Sequence, residues 1–206
     1  MARYRGPVCK LCRREGEKLY VKGDRCFTAK CALSKRAFAP GQHGKLPKKL
    51  SDYGLRLREK QKLARFYGIL ERQFRAYFEE ASRKPGVTGT QLLQMLESRL
   101  DNFVFRLGMG ASRKHSRQLV LHGHFQVNKK NVNIPSYRLK PNDVVTFKKM
   151  VGKVFEFAAA RTKDRDYPEW IGFDKEKGEG VFKAFPERKQ IDVPVNEQMV
   201  VEFYSR

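Results

Sequence analysis

Cys9, Cys12, Cys26 and Cys31 are the only cysteines in this chain of 206 residues. Their spacing, C-x2-C-x13-C-x4-C, sets two close pairs of thiols on either side of a short loop. A tetrahedral zinc ion takes four thiolates at about 2.3 Å, and two tight pairs wrap it with little strain. Four thiolates leave no open position for water or substrate, so the predicted metal is structural: one zinc per chain. The same residues could instead serve as small buried hydrophobes, as disulfides, or as ligands of a redox-active iron–sulfur cluster. A cytosolic setting keeps thiols reduced and favours metal over disulfide.

The cysteines sit in the most basic part of a basic protein. The formal net charge is +22, from 44 Lys and Arg against 22 Asp and Glu. Residues 1–50 carry +11, residues 51–90 carry +4, residues 91–150 carry +8 and residues 151–206 carry −1. A one-signed excess of this size points to a polyanion, nucleic acid before an acidic membrane surface. The anionic partner is expected to meet the first 150 residues, leaving the last quarter for packing or for a different partner.

The candidate phosphate contacts follow from this map. Arg3, Arg5, Arg13, Arg14 and Lys22 surround the cysteines, and Lys45, Lys48 and Lys49 lie in a Gly- and Pro-broken tether. Arg56, Arg58, Lys62 and Arg65 share a helix in which Glu59 is the only acid among the bases. Arg113 and Arg117 are i,i+4 neighbours flanked by Lys114, with no carboxylate in their helix. Lys129 and Lys130 fall in a turn. Such faces repel themselves unless phosphates neutralise them. His115, His122 and His124 suit capping or phosphate contact, His43 is not needed as a ligand, and Trp170 reads as core.

The elements that must hold these residues are legible in outline. Ser51 and Asp52 can cap a helix running to about Tyr67, with Gly68 as its stop. Leu70, Phe74, Tyr77, Phe78 and Ala81 mark a second helix. Leu92, Leu93, Leu96, Leu100, Phe103, Val104 and Leu107 read as one long amphipathic third helix, and Ser112 caps a fourth over Arg113–His122. Strands are then expected at 124–127, 132–134, 137–139, 144–147, 154–157, 170–173, 181–185 and 191–193, before a closing helix from Asn196. The pattern is α+β.

Nothing supports catalysis: there is no Lys-Ser/Thr phosphate loop, no nucleophile elbow and no His-rich hydrolase motif. No apolar run approaches the roughly 20 residues of a membrane span, and the N-terminus lacks a signal-peptide core. The expectation is a cytoplasmic, non-enzymatic protein with no membrane and no small-molecule substrate.

The segment from Ser112 to Asn128 resembles the RNA-binding module named after the fourth small-subunit ribosomal protein. Some pseudouridine synthases and tyrosyl-tRNA synthetases also carry that module. Residues 1–9, 39–44, 57–62, 96–102 and 202–206 resemble the bacterial ribosomal family itself, collinearly over nearly the whole chain and most weakly over 151–192. That resemblance implies a fold of three parts. They are a zinc-binding N-terminal segment and tether (1–45), a helical domain (46–95 with 194–206), and an inserted α/β domain (96–193). The last holds an L-shaped RNA-binding module at about 97–158, its helices packed on a small antiparallel sheet. It also implies a ribosome-bound primary binder of the 5′ domain of small-subunit (16S) rRNA that nucleates assembly. Contact with the fifth small-subunit protein, an influence on decoding accuracy and repression of its own operon are implied as well. The tunnel by which messenger RNA enters would be lined by Lys45, Lys48 and Lys49. The cysteine set matches the zinc-bearing members of the family. An RNA-modifying enzyme would need a catalytic domain for which the chain has no room, and a zinc-ribbon DNA regulator would need a reading helix beside the cysteines.

Overall fold

The computed structural model describes residues 3–46, 49–149, 151–162, 165–174 and 177–205. The chain separates into two compact units, residues 1–92 with 192–206, and residues 93–191. The cysteine-bearing segment belongs to the first.

In the first unit, α1 (Cys9–Glu15), a 3-10 turn (Gly23–Phe27) and the single turn α2 (Ala32–Lys35) carry the cysteines. α3 spans Asp52–Tyr67 and α4 spans Glu71–Ser82. Ser51 caps α3, its Oγ accepting from the Gly54 N–H at 3.2 Å, and Gly68 ends it at φ 68°, where a side chain would be strained. α5 (Thr88–Glu97) leads out of this unit, and α9 (Glu197–Tyr204) returns to it and packs along α3. Asn196 caps α9 by accepting from the Gln198 and Met199 N–H groups. Leu63, Phe66, Phe74, Phe78, Ala81 and Val200 are buried, and Tyr204 stacks on Phe78 at 4.6 Å.

In the second unit, α6 (Leu100–Arg106) and α7 (Arg113–Leu121) pack together. The sheet is antiparallel throughout, in the order β2-β1-β3-β5-β4. Its strands are β1 (Phe125–Val127), β2 (Lys130–Asn131), β3 (Asp143–Phe147), β4 (Ile171–Asp174) and β5 (Glu179–Phe182). α8 (Lys153–Thr162) lies between β3 and β4 in the chain. Leu100, Phe103, Phe125, Trp170 and Phe182 form the centre of one apolar core, with Trp170 packed edge-on against Phe182. The architecture is α+β.

The structure corrects several expected elements. The long third helix is two, α5 and α6, broken at Ser98 and Arg99. Arg99 is extended (φ −67°, ψ 137°) and bridges Arg138, while the Leu100 N–H donates to the Tyr137 carbonyl and the Leu139 N–H to the Ser98 carbonyl. A remote segment thus takes the backbone groups that would have continued the helix, without disturbing its apolar spacing. Val154–Phe157, read as a strand from its branched and aromatic residues, is the first half of α8. The Ala158-Ala159-Ala160 run that follows favours helix strongly. Residues 132–134 and 191–193 form no strand, and 137–139 contributes only the Arg138 bridge.

Candidate nucleic-acid interface

All four cysteines line one small cavity, with Val21, Lys22 and Arg25 also on its wall. Its open space is about 10 Å³, room for a single occupant the size of a water or an ion. None of the thiols is in a disulfide. Burial pushes the Cys12 and Cys26 thiols up, and the nearness of the other cysteines adds to the rise. Cys31 moves the other way. It stands at the N-terminal end of α2, where the backbone N–H of Ser34 favours its thiolate against a small desolvation penalty. Among the described residues, no group of three or more His, Cys, Asp or Glu is arranged to hold a metal ion.

The basic face of α3 is paired within the chain. Arg56 pairs with Glu202 at 2.6 Å, Lys60 with Glu71 at 2.7 Å, and Lys62 with Glu59 at 2.7 Å and Glu17 at 3.1 Å. Arg58 and Arg65 both pair with Glu15, whose side chain is 1% exposed. Desolvation pulls the Lys62 ammonium down, and hydrogen bonds to Glu59 and Glu17 more than offset it. Burial pushes the Glu15 carboxyl up against the pull of Arg65 and Arg58. This face is thus already neutralised in part within the chain, while Arg56, Arg58 and Arg65 keep about a fifth of their side-chain surface in solvent. Apart from Glu59, the carboxylates arrive from α1, α4, α9 and the Glu17 loop, too far along the chain for a helix-by-helix charge count to register.

The two arginines of α7 are likewise engaged within the chain. Arg117 is 6% exposed and donates to Asp101 at 2.8 Å, sharing that carboxylate with buried Arg99. Arg113 donates to the Asn102 side-chain carbonyl at 2.8 Å, with its guanidinium 4.5 Å over the Phe105 ring. Both arginines face α6. Lys114, between them in sequence, is exposed, as are Gln118, Leu121 and His122. Ser112 caps α7 by accepting from the His115 N–H, and the His115 Nδ1 accepts from the Ala111 N–H at 3.2 Å. Burial and the Arg161 charge hold His115 below its ordinary value.

The remaining predicted contacts divide cleanly. Arg13 is half-buried, donating to the Phe38 and Ala39 carbonyls and lying 5.0 Å over the Phe38 ring, so it anchors the segment that leads to the tether. Arg3 is partly exposed; Arg5, Arg14, Lys22, Lys45, Lys49, Lys129 and Lys130 are exposed. Lys48 lies outside the described residues. Lys129 and Lys130 are turned outward by a tight hairpin in which Asn128 and Lys129 both have positive φ, 48° and 65°. The Asn128 side chain pins that turn to β3, accepting from the Val144 N–H and donating to Asp143 at 2.8 Å.

A further basic surface was not foreseen. Exposed Lys148, Lys149 and Lys153 rim an open pocket of about 350 Å³ with His122 and His124, over a floor of Phe147, Val154 and Phe155. The Lys148-Lys149 pair is visible in sequence, but its meeting with the end of α7 depends on β1 pairing with β3.

Residues 3–97 match the family model of the ribosomal protein S4/S9 N-terminal domain, and residues 98–145 match that of the S4 domain. The chain is 56% identical to the small ribosomal subunit protein uS4 of Pelotomaculum thermopropionicum, covering all of both chains. It is 55% identical over the full length of each to the proteins of that name from Acetivibrio thermocellus and Kosmotoga olearia. The chain belongs to the uS4 family. The junction between the two uS4 family models, at residues 97 and 98, falls where α5 gives way to the Arg99–Arg138 bridge. The relatives are named as ribosomal proteins and not as enzymes.

Proposed function

We propose that this chain is a structural component of the small ribosomal subunit that binds small-subunit (16S) rRNA through separated clusters of exposed lysine and arginine. The observation that carries this reading is the full-length likeness to uS4 proteins, joined to a surface on which Arg5, Arg14, Lys22, Lys114, Lys129 and Lys130 remain exposed. A-form RNA offers few base edges to side chains, so specificity rests on the placement of these clusters along a folded RNA. Partly exposed Arg13, Arg56, Arg58, Arg65 and Arg113 belong to the proposed RNA-binding set as well, with internal partners that also fix their positions, as do the more buried Lys62 and Arg117.

One structural zinc held by Cys9, Cys12, Cys26 and Cys31 belongs to the same reading. The small cavity lined only by these thiols among possible ligands supports it. The ion would supply a divalent charge that relieves the repulsion among the thiolates and ties a segment poor in apolar residues. Binding to the rRNA 5′ domain as a nucleus of assembly, contact with the fifth small-subunit protein and an influence on decoding accuracy complete the proposal. So do lining of the tunnel by which messenger RNA enters, around Lys45 and Lys49, and repression of the protein's own operon. The protein would work in the cytoplasm, bound to the ribosome; no helix among the described residues is long and apolar enough to cross a membrane.

The test is equilibrium binding of the purified protein to a 16S rRNA transcript across a salt series, with zinc measured in the same sample. Affinity is expected to fall steeply with salt, its logarithm against log salt dropping with a slope of about 0.7–0.9 per phosphate contact. A flat response would remove the phosphate-docking reading, and a reduced, folded sample without metal would remove the zinc.

A further inference from the structure

In the cysteine-bearing segment, Tyr20 and Phe27 form a stacked pair, ring centroids 4.9 Å apart and planes within 26°. Phe27 is 74% exposed and Tyr20 37% exposed. The pair is placed by its chain neighbours. Leu19 is fully buried and Cys26 faces the thiol cavity, so the next residue in each case is turned outward. Tyr20 does this with φ at 49°, a conformation unfavourable for a bulky residue, and the turn is closed by the Gly23 N–H donating to its carbonyl at 3.3 Å. A lone exposed aromatic needs no explanation. Two aromatics stacked in advance, one of them on strained backbone, form a flat π-surface whose outer face is open to solvent.

The surroundings select the occupant. Lys22, Arg25 and Lys30 are exposed on the same short stretch against the single acid Asp24, so residues 20–30 carry a net +2. An apolar protein partner gains nothing from the cations and an anionic lipid surface gains nothing from two rings already stacked on each other, whereas a nucleotide presents a flat base for the rings and a phosphate for the cations. We infer that Tyr20 and Phe27 form a stacking platform for one unpaired nucleobase of the bound RNA, with Lys22 and Arg25 beside it for the adjoining phosphates. The inference rests on the RNA-binding reading and adds a site within it. The cysteine-bearing segment would then recognise unpaired RNA as well as contributing charge.

The probe is a transcript of the 16S rRNA 5′ domain, titrated with the full-length, zinc-loaded protein and its variants Phe27→Ala, Phe27→Leu, Phe27→Trp and Lys22→Glu. Because Phe27 lies mostly in solvent, its variants are expected to keep the zinc content and thermal midpoint of the parent, measured in parallel. Loss of a base stack weakens binding by about tenfold. Phe27→Ala and Phe27→Leu are both expected to show it without a change in salt slope, and Phe27→Trp to bind like the parent. Lys22→Glu is expected to weaken binding and flatten the slope. Parental binding by Phe27→Ala beside weakened Lys22→Glu would overturn the platform and leave RNA docking intact. Parental binding by Phe27→Leu with a weakened alanine variant would also overturn it, in favour of simple apolar contact. Loss of co-sedimentation with small subunits, with transcript binding unchanged, would assign the pair to a protein partner and overturn it too. Parental binding by all four variants would take RNA away from this segment altogether.

Discussion

Two basic stretches of the first unit look alike as sequence and behave oppositely as structure. On α3, each of Arg56, Arg58, Lys60, Lys62 and Arg65 sits against a carboxylate. In the cysteine-bearing segment, Lys10, Arg14, Lys22, Lys30, Lys35 and Arg36 are exposed, and none forms an ion pair among the described residues. α1, α4 and α9 bring Glu15, Glu71 and Glu202 alongside α3, whereas the cations of the cysteine segment keep their charge in water. The cations of the long helix are held by partners within the chain, whereas those of the cysteine segment stand free of ion pairs among the described residues. The second unit repeats the contrast within a single helix, with Arg117 buried on Asp101 and Lys114 in solvent.

The comparison can be broken most forcefully at the proposed zinc. Cys26→Ser is expected to lose the metal and to expose the first 46 residues to limited proteolysis, leaving α3 and α4 resistant; an unchanged digestion pattern would show that the segment folds without it. The next effect in size is at α7. Arg117→Ala leaves Asp101 held by Arg99 alone and is expected to cost about 1.5–3 kcal/mol in urea unfolding, from the lost charged hydrogen bond and the space left behind. Lys114→Glu on the same helix is expected to change stability by no more than about 0.5 kcal/mol while weakening rRNA binding and lowering its salt slope. Equal stability losses would erase the distinction between anchoring and presented charge.

The smallest effect is a pH dependence at His115. Its folded value lies below its ordinary value because burial and then Arg161 oppose the imidazolium. A depressed histidine contributes stability in full above its unfolded value near 6.5, and the contribution is lost as pH falls through the folded value. The thermal midpoint is therefore expected to drop between about pH 6.5 and 5, and to drop less in His115→Asn, whose amide oxygen can still accept from Ala111. Equal pH profiles for the two proteins would remove His115 from the account.

Much of the local structure was legible because its causes are local. Ser51, Gly68, Ser112 and Asn196 bound α3, α7 and α9 as their capping chemistry requires. The break at Ser98 and Arg99 was not, because its cause is a hydrogen-bonding segment about forty residues downstream that leaves no mark on the apolar spacing. α8 misled because Val154, Phe155 and Phe157 favour strands one at a time, whereas helix propensity accumulates over the whole run.

By itself the sequence determined the α+β order of elements, the gathering of positive charge in the first 150 residues and the four cysteines as one set, since spacing, capping and net charge are properties of neighbours along the chain. Only the tertiary structure decided which cations form ion pairs within the chain. An ion pair depends on distance in space, and the carboxylates that hold Arg56, Arg58 and Arg65 stand more than 40 residues away in sequence. It also decided that Tyr20 and Phe27 meet ring to ring, because Leu19 and Cys26 are drawn inward beside them.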